Sequence, residues 1–257
     1  MYNHVEHGEA ETWRRLQERT RAFFRDAQVD DEASLKAFRK KWEDGAEVKL
    51  MTGLPSCPFL GFVDLAEGQG DGKGEVVGCL VHPLQNDGVD GRDCGVYDRF
   101  ICEDYLCAAH DVLGRAEIRW VLAAVEDSYL YGLVITNPKF VKHLLELVAR
   151  EVGAMPGGEV LEKGPVLKAS RACFELMREW PYRSKDGIFG QVEVAGALDT
   201  TRRQLPADEF GVAPHRVDPL LVCLGSRFES PEILEEGRAK VERAVEDLAQ
   251  AVMEQLP

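Results

Sequence analysis

Long apolar runs are missing from this chain. No stretch approaches the length a membrane span needs, and the start, Met1 to His7, has neither the basic residues nor the apolar run of a secretory signal. These absences predict a cytoplasmic protein with no membrane partner. Positive charge is also scarce: 45 acidic against 31 basic residues give a formal charge of −14, which argues against broad capture of nucleic acid. The arginines of the first helical stretch, Arg14, Arg15, Arg19, Arg21 and Arg25, are interleaved with Glu11, Glu18 and Asp26 and read as a solvated helix face. The chain has no phosphate-binding G-x-x-x-x-G-K-[ST] loop, no G-x-G-x-x-G before a helix, no H-E-x-x-H and no G-x-S-x-G. Nucleotide hydrolases, dinucleotide enzymes, zincins and α/β-hydrolases thereby lose their quickest support. It has no C-x-x-C knuckle of the usual structural zinc kind, no internal repeat and no low-complexity segment.

What is present is a soluble globular composition, 45% hydrophobic and 30% charged over 257 residues. Five of the seven cysteines, with His82 and His110, fall between Cys57 and His110. Glycine, proline and aspartate break that segment throughout, so a cross-link or a metal would explain how it holds one shape. In a reducing compartment, clustered cysteines are read as metal ligands or catalytic thiols before disulfides.

Trp13, Leu16, Phe23 and Phe24 lie on one side of a first helical pattern, and Leu35, Phe38 and Trp42 repeat it after Asp30 and Asp31. Phe59 to Leu65 and Glu75 to Val81 read as a β-hairpin with a long loop, Glu67 to Gly74, which sets Cys57 and Cys79 at or near its open end. Ile118, Val121, Leu122, Val125 and Tyr129 predict one helix; Asn137-Pro138 starts another that Gly153 ends; a third begins near Pro165 and buries Cys173. Ile188 to Val194 and Leu220 to Leu224 are read as strands, the second being equally open to a buried helix, with Cys223 as core filling. Ser230-Pro231 opens the last helix. Its seam of Leu234, Val241, Val245, Leu248 and Val252 closes the core or, alternatively, pairs with another subunit.

Soft thiolates hold zinc and iron–sulfur clusters, and four complete either site. Cys57, Cys79, Cys102 and Cys107 each adjoin an apolar residue or proline, as suits a shielded ligand, whereas Cys94 sits in a hydrophilic run and is placed outside the set. Cys79-x-x-His82 and Cys107-x-x-His110 offer a Cys2His2 zinc site instead, while Cys57-Pro58 and the C-x4-C spacing of Cys102 and Cys107 favour iron–sulfur. A Cys–His nucleophile, Cys94 or Cys107 beside His82 or His110, is a third arrangement. Asp90, Arg92, Asp93, Tyr97, Asp98 and Arg99 line a pocket or, more simply, cap turns and pair on the surface.

Cys57-Pro58-Phe59-Leu60, then Cys79-Leu80-Val81-His82-Pro83, then Arg92-Asp93-Cys94 and a final Cys107 with Tyr105 upstream resemble the second half of the YkgJ-like family of zinc- or iron-chelating cysteine-rich proteins. The resemblance implies metal binding by Cys57, Cys79 and some of Cys94, Cys102 and Cys107. The chain departs from the pattern in lacking the upstream cysteine pair, in a longer turn after Cys57, and in having Asp93 where the family has proline.

The expectation is a single domain over residues 1–257. It is mainly α with a small β-hairpin and cysteine-rich insert, a helical body around a metal-binding module at residues 57–110 with ligands Cys57, Cys79, Cys102 and Cys107. An iron–sulfur cluster in a redox or accessory role, served by a protein redox partner, is the first function. The alternative is an enzyme of unknown reaction with a purely structural zinc.

Overall fold

The computed structural model describes residues 2–43, 48–63, 76–104 and 106–256. Tyr105, the loop Glu67 to Gly74 and the adjoining hairpin ends, Leu65 and Glu75, lie outside these. The chain divides into two compact units, Met1–Tyr105 with Gly196–Leu198, and Leu106–Ala195 with Asp199–Pro257. It is mainly helical, and the described residues form two antiparallel two-stranded sheets. None of the described helices is long and apolar enough to cross a membrane.

In the first unit, α1 (Glu9–Asp26) carries Glu9 and Glu11 in its first turn and Arg25 in its last, which suits the helix dipole at both ends. Its buried residues, Thr12, Leu16, Arg19 and Phe23, recur at i, i+4, i+7 and i+11, with Ala22 beside them. Phe24, expected on this stripe, is 70% exposed, because one residue past Phe23 is a turn of about 100° away from the core. Trp13 meets Phe62 edge-on at 5.4 Å between ring centres. After a turn in which the Asp31 carboxylate accepts from the Ala33 amide at 2.9 Å, α2 (Glu32–Glu43) buries Leu35 and Phe38.

The expected hairpin is present as β1 (Leu60–Val63) and β2 (Val76–Cys79), with Leu60 opposite Cys79 and Val63 opposite Val76. Helix α1 packs onto β1 closely enough that a Cβ on Gly61 would meet Thr20 Oγ1 at 2.5 Å, and the Phe62 amide donates to that hydroxyl at 2.9 Å. The core between helices and hairpin is aromatic: Phe38 stacks on Phe59 at 5.9 Å, and Phe23 meets both edge-on. Two 3₁₀ turns, Pro83–Gln85 and Arg92–Cys94, and the short α3 (Arg99–Asp104) complete the unit.

The second unit is a helical assembly: α4 (Ala108–Val112), α5 (Arg115–Ala124), α6 (Ser128–Ile135), α7 (Pro138–Val152), α8 (Gly158–Leu161) and α9 (Gly164–Glu179) precede a small hairpin. That hairpin is β3 (Val192–Val194) paired with β4 (Thr200–Arg202), and α10 (Pro206–Phe210), α11 (Asp218–Cys223) and α12 (Pro231–Met253) follow. The single helix expected over Ile118 to Tyr129 is two. Val125 is extended, and the Asp127 carboxylate caps a new start by accepting from the Leu130 amide at 2.8 Å; within α5, which buries Glu117, Trp120, Val121 and Ala124, Leu122 faces out, 54% exposed. Leu220 to Leu224 is helical, not a strand; its unbroken apolar run has no period to decide the matter, and Gly225 stops it at a φ of 66°. Leu234, Val241, Val245, Leu248 and Val252 are all buried within the unit, so the last helix closes the core. Cys173 and Cys223 are buried as expected, and burial raises their thiols to about 12 and about 11.

Candidate metal centre

The hairpin places the first two thiols at the same end of β1 and β2. Cys79 ends β2 opposite Leu60, and the turn before β1 is closed by the Leu60 amide donating to the Cys57 carbonyl at 3.3 Å. Both side chains are half-buried and pack against the aromatic core. Cys102 is exposed on α3. Burial pushes the Cys79 thiol up to about 11, and the nearby Cys57 and Cys102 sulfurs push in the same direction. Cys102 is likewise raised, first by burial and then by Cys57. Burial and the neighbouring sulfurs thus favour the neutral, protonated form of the Cys79 and Cys102 thiols.

The other thiols and imidazoles lie elsewhere. Cys94 is buried in the core, raised chiefly by burial and then by Glu32 of α2. Cys107 belongs to the second unit, where it is exposed at the start of α4 and its carbonyl accepts from the His110 amide at 2.9 Å. Of the two C-x-x-H pairs, Cys79 and His82 fall in the first unit and Cys107 and His110 in the second. His82 is occupied as a turn cap, with its Nδ1 accepting from the Leu84 amide at 3.2 Å, and His110 Nδ1 lies 3.1 Å from Asp111. Among the described residues, no three His, Cys, Asp or Glu side chains stand together closely enough to hold a metal ion. The cysteines therefore form no ligand cluster among the described residues.

Arg92 connects this neighbourhood to the fold. Buried in the 3₁₀ turn Arg92–Cys94, it donates through Nε and Nη2 to both carboxylate oxygens of Asp90 at 2.8 and 2.7 Å, and through Nη2 to Glu103 at 2.6 Å. The guanidinium holds the Asp90 carboxyl down at about 2. Glu103 follows Cys102 on α3, so the Arg92–Glu103 pair ties that helix to the turn, and the Arg92 charge lowers both the Cys79 and Cys102 thiols. The rest of the charged cluster is structural: Asp93 accepts from the Arg99 amide at 3.0 Å and Asp98 from the Ile101 amide at 2.9 Å. Arg92→Gln is expected to lower the stability of the first unit by about 2 kcal/mol in urea denaturation, because both carboxylates lose a charged hydrogen-bond donor. A change below about 0.5 kcal/mol would show that the network adds nothing to stability.

Sequence reasoning missed a second feature. Cys57 also lines a cavity of about 220 Å³ whose basic lining residues are Arg15, Arg19 and His4. The solvated-face reading holds for Arg14, which pairs with Glu11 and Glu18 at 2.7 and 2.8 Å, and for Arg25 with Asp26. It fails for Arg19, which is only 5% exposed. The available signal was its place on the stripe of Thr12, Leu16 and Phe23.

No protein family, curated protein or solved structure compared with the chain matches it.

Proposed function

We propose that the first unit is a metal-binding module in which Cys57, Cys79 and Cys102 are thiolate ligands of an iron–sulfur cluster in a redox or accessory role. The reading is supported by the placement of three thiols in one unit: Cys57 before β1, Cys79 at the end of β2, and Cys102 on the short α3 that Arg92 ties to the turn. The donor chemistry fits: all three are soft, and the guanidinium offsets part of the negative charge that three thiolates bring together. Cys107, the fourth thiol of the sequence reading, lies in the second unit, and the proposal rests on the three of the first. The YkgJ-like resemblance around Cys57, Cys79 and Arg92 supports the same reading.

When bound, such a cluster supplies one-electron chemistry. The chain's own residues do the holding. The hairpin fixes the spacing of Cys57 and Cys79, Arg92 and Glu103 orient α3, and Phe59 shields the apolar side of the loop. A protein redox partner would then exchange electrons with the centre. Zinc in the same thiols would act as a structural staple.

The test compares Cys79→Ser and Cys102→Ser with Cys94→Ala, all purified without oxygen. The first two are expected to retain roughly tenfold less metal per chain than the parent, since ligand and near-ligand changes weaken metal sites by that order or more. Cys94→Ala should retain the parent's content. Full metal content in both serine variants would refute the ligand assignment.

A further inference from the structure

The cavity beside Cys57 gathers basic side chains in a chain whose net charge is −14. Its basic lining residues are Arg15, Arg19 and His4; none of its lining residues is a carboxylate, while Arg15 also pairs with Glu11 of the same helix at 3.7 Å and donates to the Glu6 carbonyl. Thr12, Ser56 and Tyr97 add hydroxyls. The burial is deep: His4 is 3% exposed, Arg19 5%, and the Arg15 side chain 14%. Thr12, Arg15 and Arg19 lie at i, i+3 and i+7 along α1, so a single helix face presents the hydroxyl and both guanidiniums. Arg19 is positioned over the Trp42 ring at 5.7 Å and reaches the Leu60 carbonyl at 3.4 Å, which anchors its fork between α2 and β1. Planar guanidinium forks match the paired oxygens of carboxylates and phosphates, and a shielded site makes that match stronger than at an open surface.

We propose that this cavity is a binding site for a small oxyanion, a carboxylate or a phosphate, held by Arg15 and Arg19 with His4 alongside. The proposal goes beyond the metal reading and uses no cysteine as a ligand.

The experiment is calorimetric titration of the intact protein with inorganic phosphate and, separately, with succinate, at matched ionic strength in chloride. At least one anion is expected to bind saturably with a Kd of about 1 mM or tighter, weakening as salt is raised. Preference for one anion identifies the head group. Arg15→Gln, at the half-shielded edge, should weaken binding roughly tenfold by removing one charge-assisted contact, and Arg19→Lys, which keeps the charge and loses the fork, should also weaken it. Arg21→Gln, on the exposed side of α1, should bind as the parent does. Absence of saturable binding of either anion by the parent, or parent-like binding by Arg15→Gln, would overturn the site.

Discussion

Phe59→Ala is expected to destabilise the first unit by about 3–5 kcal/mol, the range for emptying a large aromatic site in a packed core. Phe59 is fully buried, stacks on Phe38 at 5.9 Å and meets Phe23 edge-on at 6.0 Å, so its removal takes one ring from a cluster of three. That loss is a large share of the 5–15 kcal/mol that holds a typical domain together. The residue also sits between Cys57 and β1, and its carbonyl accepts from the Leu80 amide at 2.8 Å, next to Cys79. Core and thiol placement should therefore fail together. Urea unfolding followed by tryptophan fluorescence reads this, with Trp13 and Trp42 reporting on the first unit and Trp120 and Trp180 on the second. A loss under about 1 kcal/mol would mean the three-ring cluster does not hold the unit.

Asp218→Ala should cost the second unit about 3–5 kcal/mol, because it removes the buried partner of the Arg238 guanidinium and leaves it only the exposed Glu235 at 2.7 Å. Asp218 and Arg238 are 1% and 5% exposed, and the pair is bidentate, with Nε and Nη2 of Arg238 donating at 2.8 and 2.7 Å. Asp218 also accepts from the His215 amide at 2.9 Å, and Arg238 donates to the Ala213 carbonyl at 3.1 Å, so the pair ties the start of α11 to α12. Replacing both partners by apolar residues of similar size, Asp218→Leu with Arg238→Met, is expected to recover much of the loss, since no buried charge is then left without a counterion and Glu235, 64% exposed, is solvated. Thermal unfolding of the two single variants and the double variant decides it. A double variant as unstable as the sum of the singles would contradict the account.

The parts of the fold that were legible in sequence are those where a period and a terminal signal agree. The helices begun by Asn137-Pro138 and Ser230-Pro231 carry apolar residues three or four apart behind a proline, and they form where expected. Leu220 to Leu224 has no period, so only the surrounding structure, with Asp218 locked to Arg238 and Gly225 ending the turn, decides for helix. Val125 continues an apolar pattern that the Asp127 cap interrupts, showing a local hydrogen bond prevailing over periodicity. Around the candidate centre, two short apolar runs with several valines and a glycine-laden stretch between them were enough to read a hairpin with Cys57 and Cys79 at or near its open end. The helix that carries Cys102 is tied to the preceding turn by the pair of buried Arg92 with exposed Glu103, which no spacing rule announces. The arginine-lined cavity was hidden because Arg15 and Arg19 lie among acidic neighbours in sequence; Arg15 keeps Glu11 as a partner at 3.7 Å, and both arginines nonetheless line the cavity with Cys57.

The most direct test of the central claim is the content of iron, zinc and acid-labile sulfide in protein purified without oxygen, taken with its visible spectrum. Iron and sulfide together, with broad visible absorbance that disappears in Cys79→Ser, is the predicted result. Protein free of iron, sulfide and zinc, with its cysteines reduced, would contradict the reading of the first unit as a metal-binding module.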